Sequence, residues 1–567
     1  MGNGECLACG AFAKLVWNSK EHSIQECLRK NERLTSHGRK TPRLTTMRMA
    51  CNPARPFKKY YRTDKYEPLG AGGFGDVYQT VHLATGTQCA VKVLRKDRFE
   101  NLDLVKNELT VLLELDHPHV LKLYEYFEDD VAVYVVTELA SGGDLLGLLE
   151  ESRDEDEEYV GKVHDVFRQL MLAVAYCHNL NIAHRDLKME NCLFTDKTRN
   201  TLKVIDFGLS AVAAECVSDK EDVVALKMKA VLGTTGYMSP EMIRKATYGV
   251  KTDIWSAGVL LYLLLTGVHP FLREKALTDA QLFQRVLDQP FDSKTLDECG
   301  VPMDAQDLVS SMLCKDPSGR PGAAEVLSHP WLLRGKTPDK ERGKFKDIVR
   351  TLPSYCKASK FEQALLTVIA HTSTEQELDE LKVAFTLADS NGDGFLTKEE
   401  LQAAFFKAGE QLSDQELDEI FENFGADDRV YYTEWLALTL KPNHIASDRA
   451  IKAAFQFFDD DESGTISTHE LLKVLDEDVA SSVMHRWDAS KDGSLDLQEF
   501  AEVVRELAGL RGQVDDDGPA ADQQSDSPQQ KRVSPNQKRV ASKGGPPRLH
   551  RSKSKLIECI HLNAKRG

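Results

Sequence analysis

His184-Arg185-Asp186-Leu187-Lys188-Met189-Glu190-Asn191 places an aspartate, a lysine two residues on and an asparagine five residues on within one short stretch. Asp206-Phe207-Gly208 begins 15 residues after Asn191 and adds a second carboxylate. Two such oxygen ligands suit a hard cation bridging a polyphosphate, whose transfer depends mainly on positioning and charge neutralisation. Toward the amino end, Gly70-Ala71-Gly72-Gly73-Phe74-Gly75-Asp76-Val77 supplies glycines that let backbone approach phosphates closely. A GxGxxG run alone is often only a turn. Here a strand-like run, Cys89-Ala90-Val91-Lys92-Val93, follows it, which disfavours a dinucleotide site.

Further along stand Ser239-Pro240-Glu241, Asp253, Trp255 and Asp316-Pro317-Ser318-Gly319-Arg320. Short strand-like runs precede longer helical patterns, which is an α+β order, and the unit closes near His329-Pro330-Trp331. This ordered set resembles the bilobal serine/threonine protein kinases, over residues 63–332. The resemblance implies that Asp186 orients the substrate hydroxyl and accepts its proton, beside Lys188. Asn191 and Asp206 would hold Mg²⁺, and Lys92, paired with Glu108, the phosphates. ATP contacts are implied for Leu69, Gly70, Ala71, Gly72, Gly73, Phe74, Gly75, Val77, Ala90, Lys92, Thr137, Glu138 and Leu193. Thr137 leaves room behind the adenine. Glu241 should pair with Arg320, while Asp253 and Trp255 belong to a helix supporting the catalytic loop. Asp144 and Glu190 resemble an acidic pair that receives a basic residue upstream of the target serine; a loop or helix cap is the other reading of Asp144. Met189 stands where proline is common. The extra residues from Glu215 to Lys229 are either a regulatory element or a loose loop.

The third signature is a repeated acidic loop. Asp389 to Glu400 places Asp389, Asn391, Asp393, the Phe395 carbonyl and Glu400 at the ligand positions of an EF-hand, with Gly394 at the sharp turn. Asp459, Asp461, Ser463, Thr465 and Glu470 repeat it, as do Asp488, Ser490, Asp492, Ser494 and Glu499. Leu396, Ile466 and Leu495 are apolar at position 8, where paired loops exchange a strand contact. A fourth unit is damaged: with Glu434 at position 12, Asn423 stands at position 1, Gly425 at position 3 and Asp428 at the turn glycine. It should pair with the first hand and bind little calcium. Loop starts at 389, 423, 459 and 488 predict a clipped helix between hands three and four.

Kinase motifs, a connector and four hands in this order resemble the calcium-dependent protein kinases of plants and protists. The expected architecture is a bilobal kinase domain followed by an all-α calmodulin-like domain at 375–510. The implied activity is calcium-activated transfer of the ATP γ-phosphate to protein serine or threonine, with ATP, Mg²⁺ and Ca²⁺ as cofactors. In that family the connector, here 333–374, blocks the kinase until calcium loads the hands. Lys344, Lys346 and the amphipathic stretch Phe361 to Ile369 are the expected blocking surface, with the basic residues set against Asp144 and Glu190.

The chain's 567 residues require more than one core, and its net charge of −17 hides two basic ends. Residues 1–60 hold 12 Lys/Arg against 4 Asp/Glu, yet no aromatic platform or zinc spacing points to nucleic acid. Residues 1–62 read as a disordered basic arm and 511–567 as a disordered basic tail. Scattered cysteines without a secretory signal suit a reduced, cytoplasmic chain. Met1-Gly2-Asn3-Gly4-Glu5-Cys6 resembles a myristoylation signal, with Cys6 or Cys9 available for palmitoylation, so membrane association through the amino end is expected of a monomer acting on protein substrates. Ser542 and Ser554, each three residues after an arginine, are candidate autophosphorylation sites.

Overall fold

The computed structural model describes residues 55–63, 67–72, 75–98, 103–151, 157–207, 211–212, 235–246, 248–272, 278–334, 345–346, 348, 359–410, 413–424 and 428–515. Gly2, Cys6, Cys9, Gly73, Phe74, the insertion at 215–229, Lys344, Ser542 and Ser554 lie outside these residues.

A short helix, α1 (Phe57–Tyr60), precedes a five-stranded antiparallel sheet of order β1-β2-β3-β5-β4. The strands are β1 (Glu67–Gly72), β2 (Gly75–Val81), β3 (Gln88–Arg95), β4 (Leu123–Glu128) and β5 (Ala132–Glu138). Helix α2 (Asp103–Glu114) lies between β3 and β4 in the chain. Gly75 is required by a close approach: a Cβ there would stand 2.6 Å from the Val93 carbonyl oxygen. The helical lobe is built around α4 (Glu157–Asn179), which follows α3 (Leu145–Glu151), and α5 (Lys251–Thr266). Helix α5 is apolar nearly all round, and 14 of its residues are buried, so it forms the lobe's centre. Two short strands, β6 (Cys192–Phe194) and β7 (Leu202–Val204), pair beneath the sheet lobe. Arg320 is 1 % exposed and grips Glu241 at 2.9 and 3.2 Å; removing one partner of so buried a pair costs about 3–5 kcal/mol.

The carboxyl-terminal part is helical. Helix α6 (Lys360–Thr372) is capped by Ser359 and Glu362 and buries Phe361, Leu365, Leu366, Val368 and Ile369. It packs on α10 (Tyr432–Thr439) and α11 (Asp448–Phe458) of the second and third hands, after α7 (Glu375–Ala388), α8 (Lys398–Ala408) and α9 (Asp414–Phe424). The third hand continues through β8 (Thr465–Ser467) into α12 (Thr468–Leu471), only four residues long. That helix is the one the 29-residue interval shortens. The fourth hand comprises α13 (Glu477–Trp487), β9 (Ser494–Asp496) and α14 (Leu497–Asp515).

One expectation is corrected. The arm expected to be disordered through residue 62 is ordered from Arg55. Phe57 and Tyr61 stack and join Phe127 and Val136 in a small core on the sheet's outer face. The stretch expected to block the kinase lies with the hands in this structure. Phe345, Ile348 and Phe361 to Ile369 belong to the hydrophobic core of the calcium domain, and Lys346 lies beside Gly409 of the first hand. An amphipathic helix removes more apolar surface from water between two EF-hand helices than over an acidic groove, so the hands enclose it.

Candidate functional site

The catalytic residues converge between the lobes. Lys92 Nζ lies 2.5 Å from Glu108 Oε1 and 3.4 Å from Asp206 Oδ1. Although burial opposes its charge, those two carboxylates hold the Lys92 ammonium above its ordinary pKa. Asp186 Oδ2 accepts hydrogen bonds from Lys188 Nζ at 2.8 Å and Asn191 Nδ2 at 3.1 Å. Its other oxygen, Oδ1, is buried and meets no donor among the described residues. Leaving a buried carboxylate oxygen unbonded is costly, so the atom marks where a substrate hydroxyl would donate.

Asp253 fixes this loop: its carboxylate accepts from the backbone N–H groups of His184 at 2.9 Å and Arg185 at 2.8 Å. Burial would raise its pKa, but hydrogen bonds from His178 and Arg185 outweigh that and keep it low. Arg185 and Asp206 both adopt left-handed backbone, at φ of 67° and 63°. Such conformations cost of order 1–3 kcal/mol each and persist where surrounding contacts over-determine them.

Strand register places the residues expected to contact ATP as one wall. Ala90 pairs with Thr137 and Val77 with Lys92, while Leu193 opposes Lys203 across β6 and β7 and bridges to Asp144. Leu69 and Gly70 lie on β1, and Ala71 and Gly72 end it. The carboxylate of Glu138 turns behind this wall, to the Lys122 N–H and the Lys203 ammonium. Asp144 Oδ1 accepts from the Gly147 N–H at 2.8 Å, the helix-cap alternative; its charge also helps raise the Glu190 pKa, after burial. Helix α3, which Asp144 precedes, packs on the Met189–Asn191 turn that carries Glu190, so the two acids are neighbours. Asn191 and Asp206 are the residues that fit Mg²⁺: Asn191 bonds the second oxygen of Asp186, and Asp206 stands 3.4 Å from the Lys92 ammonium that would share its phosphate load.

The calcium loops differ from one another. Carboxylate oxygens of Asp389, Asp393 and Glu400 lie within 4.8 Å of each other, as do those of Asp459, Asp461 and Glu470. Burial pushes Asp389 up to about 7, with Asp393 and Glu400 adding to the shift; a crowd of buried carboxylates fits a hard dication. Glu400 also caps α8 together with Thr397, so one Ser/Thr-x-x-Glu spacing serves both helix start and position 12. The fourth loop is more open: desolvation opposes the Asp488 charge, but hydrogen bonds from Gly493, Ser490, Lys491 and Asp492 together keep its pKa low. Leu396 and Val430 exchange backbone hydrogen bonds at 3.0 and 2.9 Å, and Ile466 faces Leu495. The damaged second hand thus pairs with the first, with Asp428 taking the left-handed turn position at φ 56°.

Sequence spacing alone missed how these parts meet. Phe395 at loop position 7 contacts the Tyr176 ring of α4 at 5.4 Å between centroids and joins the kinase core cluster. A Cβ on Gly394 would stand 2.4 Å from that tyrosine ring. Thr433 donates through its hydroxyl to Asp116 at 2.7 Å, and Arg449 reaches Thr87 of the sheet lobe. Arg55 binds Asp460 at 3.0 Å and the Asp459 carbonyl at 3.1 Å, and Lys59 and Tyr60 both contact Glu462. The loop spacing assigns none of these side-chain contacts; for Arg55, Lys59 and Tyr60 the signal is long-range complementarity between an acidic loop and a basic arm.

Residues 63–332 match the protein kinase domain family, residues 378–440 the EF-hand domain pair and residues 451–475 the EF hand. Calcium-dependent protein kinase 3 of Plasmodium berghei (strain Anka) is 32% identical over 461 residues, covering 77% of this chain and 79% of that one. Calcium-dependent protein kinase 11 of Oryza sativa subsp. japonica is 33% identical over 465 residues, covering 79% and 77%. Calcium-dependent protein kinase 21 of Arabidopsis thaliana is 31% identical over 467 residues, covering 80% and 84%. On this likeness along both catalytic and calcium-binding parts, the chain belongs to the calcium-dependent protein kinases.

Proposed function

We propose that this chain is a calcium-activated serine/threonine protein kinase whose calcium domain acts as a brace on the catalytic lobes. The observation that carries this reading is the seating of the first calcium loop, through Gly394 and Phe395, on Tyr176 of the kinase. A loop ordered by a cation presents those residues; a loop without one loses the shape that fits α4. Catalysis then needs the lobes held so that Lys92, Asp186 and Asp206 face one substrate pair. Asp186 Oδ1 takes the proton of the serine or threonine hydroxyl, whose oxygen bonds to the γ-phosphorus as the bond to the leaving diphosphate breaks. Lys188 keeps Asp186 oriented, and Lys92 steadies the phosphates. Mg²⁺ held by Asn191 and Asp206 would neutralise charge on the nucleotide.

The neighbouring acids Asp144 and Glu190 support a preference for a basic residue upstream of the target. The test is transfer of phosphate from ATP to a basic serine peptide in EGTA and in saturating calcium. Transfer that rises with calcium and is abolished by Asp186→Asn is expected. Equal transfer in both conditions would make the hands idle passengers.

A further inference from the structure

Six charged side chains gather where the calcium domain meets the back of the adenine pocket. Glu138, the last residue of β5, is 2 % exposed; its Oε1 accepts from the Lys122 N–H at 2.7 Å and stands 2.9 Å from Lys203 Nζ. Lys203 is 1 % exposed, and its Nζ lies 3.0 Å from Oε1 of Glu375, the first residue of α7. The other Glu375 oxygen is bound by Lys382, which also pairs with Asp379 on the same helix. Lys122 Nζ donates to the Ala370 carbonyl at the end of α6 at 3.1 Å. Glu375, Asp379, Lys382 and Ala370 come from the calcium side, and Glu138, Lys122 and Lys203 from the kinase.

Lys203 lies directly opposite Leu193, the floor residue of the adenine pocket, and three residues before Asp206 in the chain. Glu138 adjoins Thr137, which pairs with Ala90 in the pocket's wall. One buried ammonium thus ties floor and wall together. A buried ammonium is held in place by the sum of its partners, and Glu375 is a partner present only while α7 is docked. The two carboxyl groups also sense each other: burial and Glu375 push Glu138 up to about 7.

We propose that Glu375 is a positioning residue for the nucleotide site: by binding Lys203 it sets the Leu193 floor and the Thr137–Glu138 wall, so ATP affinity depends on docking of the calcium domain. The proposal rests on the calcium-activated kinase reading above and extends it. Linkage is reciprocal, so nucleotide must tighten calcium binding by the factor through which calcium tightens nucleotide.

The experiment uses the full chain, with Glu375→Gln and, as a control on the same helix, Glu380→Gln, whose carboxylate pairs with Lys441. Two readouts are taken: KM for ATP and kcat in saturating calcium, and the affinity for magnesium-bound AMP-PNP by calorimetry in calcium and in EGTA. In calcium, Glu375→Gln should raise both KM and the analogue's Kd about fivefold or more, with kcat at saturating ATP within about twofold of wild type. In EGTA its analogue affinity should equal wild type, and the analogue should no longer tighten calcium. Glu380→Gln should match wild type throughout. Glu375→Asp, which keeps the charge at shorter reach, should fall between and guards against a folding artefact in the glutamine variant. Unchanged analogue affinity in calcium would overturn the proposal. So would a fall in kcat and calcium response at constant KM, which would make Glu375 a docking contact alone. A wild type that binds the analogue but ignores calcium in both readouts would instead refute the calcium-activated reading.

Discussion

The first and fourth calcium loops carry nearly the same ligand pattern, yet they occupy opposite situations. Asp389 and Glu400 are buried, 4 % and 7 % exposed, and the loop's Gly392, Gly394 and Phe395 face kinase side chains. Asp492 is exposed, and a Cβ on Gly493 would meet nothing within 4 Å. Ligand spacing sets whether a loop can hold calcium. What the non-ligand atoms touch sets whether the rest of the molecule notices.

The turn glycines make the sharpest contrast. Gly394 and Gly493 share left-handed backbone, at φ of 81° and 88°, so alanine costs about 1–2 kcal/mol at either. Only Gly394→Ala also pushes a methyl into Tyr176, an overpacking penalty of about 1–3 kcal/mol, or about tenfold in docking. Peptide phosphorylation at saturating calcium should therefore fall about tenfold for Gly394→Ala and stay near wild type for Gly493→Ala. Equal losses would erase the distinction between the two loops.

Position 12 gives the next effect. Driving a switch from 1:99 to 99:1 takes about 5.5 kcal/mol, which three equal loops would share at roughly 20-fold each. Unequal docking predicts an unequal split. In calcium titrations of activity, Glu400→Gln should shift the half-activating concentration by more than about 20-fold and Glu499→Gln by less, with Glu470→Gln between them. The reverse order would contradict the seating of the first loop as the main contact.

The outer contact of the third loop should give the smallest change. Its partner is the basic segment before the sheet lobe, where Arg55 and Asp460 form a partly exposed pair. Such pairs contribute up to about 1 kcal/mol, so Arg55→Ala should raise half-activating calcium by no more than about fivefold. Hydrogen exchange of the Phe57–Tyr60 helix would check it, with faster exchange expected in the variant.

The catalytic spacing was readable because phosphoryl transfer confines Lys92, Asp186, Asn191 and Asp206 to fixed positions along local elements. The pairing of Leu396 with Val430 was readable at position 8, since apolar strand partners recur there, and the short α12 was readable from the loop interval. The docking face was not. Position 7 contributes only a backbone carbonyl to the ligand set, so nothing in the loop pattern constrains the Phe395 side chain that meets Tyr176. A four-residue helix such as Phe57–Tyr60 has no period to detect, and its aromatic packing on Phe127 is a contact across 70 residues. The connector's amphipathic pattern showed that Phe361 to Ile369 would be covered. It could not show that the cover is the hands and not the substrate groove.

Hydrogen–deuterium exchange along α4, compared in EGTA and in saturating calcium on the full chain, addresses the brace most directly. Calcium should slow exchange around Leu172 to Asn179, beneath the first loop, in wild type but not in Gly394→Ala. Exchange there that is the same with and without calcium would mean that cation binding leaves this contact untouched, and the brace would have to be abandoned.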